Sequence, residues 1–150
     1  MTTASGKWVI DASVAIKLLV DEEDSDRVHL FFARGTETGV ARYYVPGIFF
    51  VECANVLWKY VTRHDYPAAH AQKNLSRLFD FGFNVLDTSL LAENAFKLAI
   101  KHRISVYDAS YLAASSFVPS PLITADNRLA KALPRTEYNI FLISELDLHT

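Results

Sequence analysis

Near the start of the chain stands the sequence Lys7-Trp8-Val9-Ile10-Asp11-Ala12-Ser13-Val14-Ala15-Ile16-Lys17-Leu18-Leu19. Its first apolar run ends on a carboxylate, and a helix-compatible apolar pattern follows at once. Short apolar runs of this kind are typical of buried strands in a parallel sheet, where a helix follows each strand. Open α/β sheets bind their ligands beyond the carboxyl ends of the strands. The sequence therefore predicts that Asp11 lies at the functional edge of a sheet, with other acids beside it.

The rest of the chain repeats this alternation of short apolar runs and helical patterns. Strands are predicted at 7–10, 43–45, 83–86, 122–124 and 140–142. Helices are predicted at 13–20, from the acidic run 21–26 to Gly35 and Gly39, from Pro46 onward, and at 67–81, 89–102, 109–117 and 127–133. The helix at 67–81 is expected to turn Phe79 inward. This alternation predicts an α/β fold with a parallel sheet and right-handed crossovers, in a single domain covering residues 1–150.

Composition narrows the class of protein further. The 150 residues are 51% hydrophobic and 21% charged, which are values of a globular chain that can bury a sizeable core. The net charge of −2 gives no general support for nucleic-acid binding, so any such contact needs a local patch. The single cysteine, Cys53, excludes an internal disulfide and a thiolate metal site. No signal peptide or membrane segment is visible, so we expect a cytoplasmic protein without a membrane partner.

Four carboxylates occupy positions that favour chemistry. Asp11 ends the first strand, Glu52 lies on the flank of the third helix, Asp108 precedes a helix, and Asp126 follows the fourth strand. Such acids repel one another unless a cation lies among them. Hard divalent cations such as Mg²⁺ prefer oxygen ligands, and the scattered histidines offer no zinc spacing. A cluster of these four acids would therefore indicate a metal site.

Each acid also has a simpler structural interpretation. Asp11 and Asp126 could cap the helices that follow them, and Glu52 could be an ordinary residue at the edge of an amphipathic helix. Asp108 has the spacing of a capping box with Ser105. Asp87 also follows a strand, and it is interpreted as a helix cap without a functional role. Taken one by one, the structural and functional interpretations are about equally good.

The four acids stand in segments that are informative in combination. These segments are Val9-Ile10-Asp11-Ala12-Ser13-Val14-Ala15-Ile16-Lys17, Val51-Glu52-Cys53-Ala54-Asn55-Val56-Leu57, Val106-Tyr107-Asp108-Ala109-Ser110-Tyr111-Leu112-Ala113-Ala114 and Leu122-Ile123-Thr124-Ala125-Asp126-Asn127-Arg128-Leu129. In this order and spacing they closely resemble the PIN-domain family, in particular the VapC-type toxin ribonucleases of toxin–antitoxin pairs. The resemblance extends from Val9 to the last predicted strand.

The resemblance implies a fold, a site and partners. It implies a three-layer α/β/α sandwich with a central, mostly parallel five-stranded sheet. It assigns the four acids to a catalytic site for Mg²⁺ or Mn²⁺, with Ser13, Asn55 and Thr124 in support. It further implies an RNA substrate, a homodimer and a cognate antitoxin protein that blocks activity.

Metal-assisted hydrolysis of RNA phosphodiester bonds is the predicted reaction. A bound cation lowers the pKa of its water toward ~7 and neutralises charge on the phosphoryl oxygens. Asp11 and Asp108 are the expected direct ligands, and Glu52 and Asp126 are expected to act through waters or at a second metal. Candidate contacts to the substrate phosphates are the basic residues Lys17, Lys59, Arg63, Arg103, Arg128 and Lys131, with Lys17, Lys59 and Arg128 preferred.

Two other functions stay open at this point. The first is a PIN-like module that binds RNA without cutting it, which would be marked by the loss of one or more acids. The second is a phosphatase in which Asp11 accepts a phosphoryl group. Haloacid-dehalogenase-like phosphatases normally carry a second acid two residues after the first, where this chain has Ser13.

Overall fold

The structure, a computed structural model, describes residues 6–148. The ends of the predicted domain and His149 lie outside the described residues. The strands are β1 Lys7–Ile10, β2 Arg42–Pro46, β3 Asn84–Leu86, β4 Leu122–Thr124 and β5 Ile140–Leu142. The helices are α1 Ala12–Ala15, α2 Ser25–Thr38, α3 Phe49–Arg63, α4 Ala68–Leu78, α5 Thr88–His102, α6 Val106–Phe117 and α7 Asn127–Ala132. Short 3₁₀ turns follow α1, α4 and β5, at Ile16–Leu18, Phe79–Phe81 and Ile143–Glu145.

The five strands form one sheet in the order β3-β2-β1-β4-β5, and every pairing is parallel. In the central strand β1, Val9 is in register with Tyr44 of β2 on one side and with Leu122 of β4 on the other. The chain runs outward from β1 to β3 and then returns to the opposite side of β1 for β4. The strand order therefore reverses between β1 and β4, and a ligand crevice is expected beyond their carboxyl ends.

Helices cover both faces of the sheet. Right-handed crossovers place α2, α3 and α4 on one face and α5, α6 and α7 on the other. The central helix α6 packs across β1, β2 and β4, and α5 packs on α6. Fully buried side chains include Ile10 of β1, Phe49 of α3, Tyr111 of α6 and Ile123 of β4. The predicted three-layer sandwich is confirmed, and the sheet is parallel throughout rather than mostly so.

Three predicted boundaries among the first three helices were wrong. The first helix is α-helical only to Ala15 and then tightens into a 3₁₀ turn. Pro46 is the last residue of β2 rather than the start of α3, because its fixed φ suits the end of a strand as well as a helix start. Gly35 lies inside α2, and only Gly39, with φ of 68°, ends that helix. A Cβ at Gly35 would lie 1.8 Å from the Tyr43 hydroxyl, so glycine is required there for packing.

Two further differences concern side chains and the start of α6. Phe79 was predicted to point inward, but it is 63% exposed and stacks on Phe50 at 4.5 Å between ring centroids. The change to a 3₁₀ turn at Phe79 moves its side chain out of the inward stripe of α4. Helix α6 begins at Val106 rather than Ala109, which places Asp108 within its first turn. In residues 6–148, no helix combines the length and apolar character that a membrane span requires.

Candidate active site

The four predicted acids come from four elements that meet at the carboxyl edge of the sheet. Asp11 follows β1 directly, and Asp126 lies two residues after the end of β4. Glu52 and Asp108 lie in the first turns of α3 and α6. The charges of neighbouring acids in this set raise the pKa values of Asp11, Glu52 and Asp108, as described below, so the fold brings the acids into one electrostatic neighbourhood.

Asp11 is the buried centre of this neighbourhood, with only 6% of its surface exposed. Its Oδ2 atom accepts hydrogen bonds from the Ser13 and Thr124 hydroxyls, each at 2.7 Å. No side-chain bond caps α1, so the helix-cap interpretation of Asp11 was wrong. Burial raises the pKa of Asp11; the two hydroxyls lower it in part, and the nearby charges of Asp108 and Asp126 raise it further.

The two hydroxyls that hold Asp11 are themselves fixed by the backbone. Ser13 Oγ accepts a hydrogen bond from the Ala125 N–H at 3.0 Å, and Thr124 Oγ1 accepts one from the Asp126 N–H at 3.0 Å. The acid at the end of β1 is thereby tied to the segment that follows β4. Ser13 and Thr124, which the resemblance assigns a supporting role, thus contact the first acid directly.

Glu52 is anchored by a residue that the sequence analysis did not single out. The Tyr111 hydroxyl of α6 donates a hydrogen bond of 2.6 Å to Glu52 Oε1. Partial burial raises the pKa of Glu52; the bond from Tyr111 lowers it, and the charges of Asp11 and Asp108 raise it. A tyrosine on the buried face of a helix is a weak sequence signal for such a bond, because a buried hydroxyl usually needs a partner.

Asp108 is both part of a helix cap and part of the acidic neighbourhood. Its backbone N–H donates to Ser105 Oγ at 3.0 Å, so the predicted capping role of Ser105 is confirmed. Partial burial raises the pKa of the Asp108 carboxyl; the Ser105 hydroxyl lowers it, Asp126 raises it and Arg128 lowers it. The cap hydrogen bond is made by the backbone of Asp108, while the same Ser105 hydroxyl also favours the charged form of its carboxyl group.

Asp126 also combines the two roles that the sequence presented as alternatives. Its Oδ1 atom caps α7 by accepting hydrogen bonds from the N–H groups of Arg128 at 2.9 Å and Leu129 at 3.2 Å. Asp87, by contrast, is exposed and caps α5 through Ser89 N–H at 2.9 Å. The bonds from Ser89 lower the pKa of Asp87, and none of the four acids affects it. Asp87 is a helix cap, as predicted.

A common arrangement links Asp11, Glu52 and Asp126. In each, one carboxylate oxygen is held by the protein, while the other makes no hydrogen bond within residues 6–148. In the same range, no Lys, Arg or His side chain forms an ion pair with any of the four acids. The donor set is thus made of carboxylate oxygens that form no ion pair within these residues, with Arg128 acting on Asp108 from beyond ion-pair distance, which fits a hard divalent ion.

The spacing of these acids fits a hydrated ion better than a closed cage. Among residues 6–148, no three Asp, Glu, His or Cys side chains converge closely enough to hold a metal ion by themselves. Mg²⁺ usually keeps several waters and takes only one or two carboxylates directly. Water molecules would therefore complete the coordination at this site.

The other predicted site residues differ in their availability. Arg128, at the start of α7, is exposed and close enough to lower the pKa of Asp108. Lys17 is not available for substrate, because its side chain is only 13% exposed and its Nζ donates to the Glu23 carbonyl at 2.7 Å. Lys59 and Asn55 are exposed on α3, and within residues 6–148 Asn55 makes no side-chain hydrogen bond.

Comparison with known proteins decides the family. Residues 8–132 match the PIN domain. The chain is also 34% identical over 134 residues to Ribonuclease VapC3 of Pyrobaculum aerophilum, an alignment that covers 85% of this chain and 95% of the relative. The chain belongs to the PIN-domain family. The resemblance to VapC-type members that the four acidic segments predicted is confirmed.

Two solved structures share the PIN fold of this chain. The crystal structure of PAE2754 from Pyrobaculum aerophilum has a TM-score of 0.67 at 19% identity, covering 92% of this chain and 84% of that chain. A toxin–antitoxin complex from Klebsiella pneumoniae has a TM-score of 0.61 at 18% identity, covering 92% of this chain and 98% of that chain. At these identities the likeness shows the fold alone.

Proposed function

We propose that this PIN-domain protein is an Mg²⁺- or Mn²⁺-dependent endoribonuclease, and that it is the toxin of a toxin–antitoxin pair. The observation that carries the proposal is the group of four acids at the point where the strand order reverses. Asp11 is buried there without a basic partner and is held in place by two hydroxyls. The identity to a relative named as a ribonuclease supports RNA as the substrate.

The residues divide into ligands and groups that position them. Asp11 and Asp108 are the proposed direct ligands, with Glu52 and Asp126 acting through waters or at a second ion. A divalent cation held by these acids would lower the pKa of a water toward neutrality and would offset negative charge on the phosphoryl oxygens. The Ser13 and Thr124 hydroxyls bind Oδ2 of Asp11 and so leave Oδ1 for the ion. Asn55 remains a predicted supporting residue, one helical turn beyond Glu52.

Arg128 is the proposed phosphate contact. Its exposed guanidinium group lies near Asp108. Arginine can bind phosphate oxygens through two parallel hydrogen bonds. Lys59 is a second candidate, since it is exposed on the same flank of α3 as Glu52. Such local cations can bind RNA despite the net charge of −2.

Protein partners are proposed from the exposed apolar side chains. On α3, Val51 and Trp58 are 71% and 55% exposed, and Val51 is adjacent to Glu52. We propose that an antitoxin segment covers this part of α3 and presents a basic residue to the acids. On α5, Phe96 and Ile100 are 57% and 65% exposed, and we propose that a second copy of the chain covers them. Action in the cytoplasm remains a prediction.

Expression of the protein alone in a bacterial host tests the proposed function. Growth should stop, RNA fragments with new ends should accumulate, and co-expression of the small protein encoded beside it should restore growth. The matched control is an Asp108→Asn variant at the same expression level, which should leave growth unaffected. Normal growth and intact RNA, with the wild-type protein folded and abundant, would contradict the proposal.

The two alternative functions gain no support from the site. All four acids of the nuclease pattern are present, whereas a non-catalytic RNA-binding module is expected to lack one or more of them. Ser13 donates a hydrogen bond to Asp11, so a hydroxyl stands where a phosphatase of the haloacid-dehalogenase type carries its second acid. RNA binding without any cleavage would restore the RNA-binding module. Phosphorylation of Asp11 would restore the phosphatase.

A further inference from the structure

Tyr111 joins the two helical layers of the protein at the acidic site. It lies on α6 and is fully buried, and its hydroxyl group donates a hydrogen bond of 2.6 Å to Glu52 Oε1 of α3. We infer that Tyr111 is a positioning residue, whose hydroxyl holds the Glu52 carboxylate in the one orientation that offers Oε2 to the cation or its water. This inference rests on the proposed function, since it assigns a role within the same site.

Tyr111 and Glu52 differ in how freely their side chains can move. The Tyr111 ring is enclosed by the core, so its hydroxyl has a fixed position set by packing. Glu52 has a long side chain that is only partly buried, and several rotamers would otherwise compete. A single bond from a fixed donor is therefore enough to select one rotamer of a mobile carboxylate.

The same arrangement holds two of the other three acids, Asp11 and Asp126. Oδ2 of Asp11 is held by two hydroxyls, and Oδ1 of Asp126 is held by two backbone N–H groups. Each of these carboxylates has one oxygen held by the protein and one left free. Tyr111 does for Glu52 what the hydroxyls of Ser13 and Thr124 do for Asp11. Outer partners of this kind typically change metal affinity or activity by about 10–100-fold when they are removed.

Tyr43 offers a natural contrast within the same fold. Its hydroxyl is buried, and among residues 6–148 it is the one buried side-chain oxygen or nitrogen without a hydrogen-bond partner. The protein therefore tolerates a buried tyrosine hydroxyl that bonds to nothing. Tyr43→Phe removes the same single oxygen as Tyr111→Phe, but at a place remote from the acids, and it is the matched control.

The test compares Mn²⁺ binding and RNA cleavage in wild type, Tyr111→Phe and Tyr43→Phe. Mn²⁺ affinity is measured by calorimetry and by electron paramagnetic resonance of the free ion. We expect Tyr111→Phe to bind Mn²⁺ about 10-fold more weakly and to lower kcat, with KM for RNA little changed. Tyr43→Phe should match wild type in both measurements.

A double variant shows whether Tyr111 acts through Glu52. If it does, adding Tyr111→Phe to Glu52→Gln should cause no further loss of Mn²⁺ affinity. Wild-type affinity and kcat in Tyr111→Phe, an additive loss in the double variant, or a Tyr111→Phe protein that no longer folds would each overturn the inference. If the wild-type protein itself neither binds Mn²⁺ nor cuts RNA, the proposed function fails first and the inference falls with it.

Discussion

The Asp108→Asn protein should lose RNA cleavage by about 10²–10³-fold or more, a loss of the size seen when one transition-state-stabilising group is removed. Its cation-free form should be at least as stable as wild type. Asparagine keeps the backbone N–H that bonds to Ser105 Oγ, so the cap of α6 is retained. The substitution also removes a carboxyl group whose pKa is raised by burial and by Asp126, which means that its charged form is disfavoured in the folded state. Thermal melting and cleavage of a defined RNA measure the two effects.

Asp87 provides the matched control for this substitution. Asp87→Asn changes the same chemical group at the start of α5, where Asp87 serves only as a cap. Because the folded state lowers the pKa of Asp87 through its bonds to Ser89, loss of this charge should slightly reduce stability at neutral pH and leave cleavage intact. If Asp108 were only a cap, Asp108→Asn would behave in the same way, with a stability loss of about 0.5–1 kcal/mol and normal cleavage. That result would remove Asp108 from the site.

Asp11→Asn should abolish cleavage and at the same time change how stability depends on pH. Burial raises the pKa of Asp11 in the folded state above its unfolded value near 3.8. Below that unfolded value Asp11 is protonated in both the folded and the unfolded protein, so its ionisation does not reduce the free energy of unfolding. As the pH rises, the unfolded state ionises first, and the cation-free wild type loses stability until the pH passes the raised folded pKa. Each unit of pKa difference corresponds to about 1.4 kcal/mol.

Asparagine at position 11 carries no charge at any pH, so it removes this loss. Its amide oxygen can accept the hydrogen bonds from Ser13 and Thr124 that Oδ2 accepts in wild type. The cation-free variant should therefore exceed wild type in stability at neutral pH, and the difference should shrink as the pH falls toward 4. Denaturant titrations across this pH range, without and with Mn²⁺, check the expectation. A variant less stable than wild type at every pH would show that the Asp11 carboxylate is needed to hold the fold.

Local sequence patterns predicted much of the fold. The bounds of β1, β4 and β5 agree with the prediction residue for residue, because each is a short apolar run with clear breaks on both sides. Patterns failed to give the start of α3 because proline suits both the end of a strand and the start of a helix, and Pro46 ends β2. They also failed at Gly35, where the requirement for glycine comes from Tyr43, a residue of the neighbouring strand.

The candidate site was predictable in its acids but not in how they are held. For Asp108 and Asp126 the sequence presented a helix cap and a place in the acidic site as alternatives. The structure shows that Asp108 takes part in its cap through the backbone N–H and Asp126 through one carboxylate oxygen, so a capping role and a place in the site are compatible for both. The bond between Tyr111 and Glu52 joins residues 59 positions apart, and no local pattern encodes it. Long-range contacts of this kind depend on how the two helical layers meet at the edge of the sheet.

Cleavage of a defined RNA by the purified protein, first in excess EDTA and then with Mg²⁺ or Mn²⁺ returned in excess, tests the metal-dependent nuclease most directly. The Asp108→Asn protein, purified in the same way, controls for a contaminating nuclease. We expect no cleavage in EDTA, cleavage restored by either cation in wild type alone, and a rise in its melting temperature as the cation binds the folded state. Undiminished cleavage by the wild-type protein in EDTA would contradict the metal-dependent site built from Asp11, Glu52, Asp108 and Asp126.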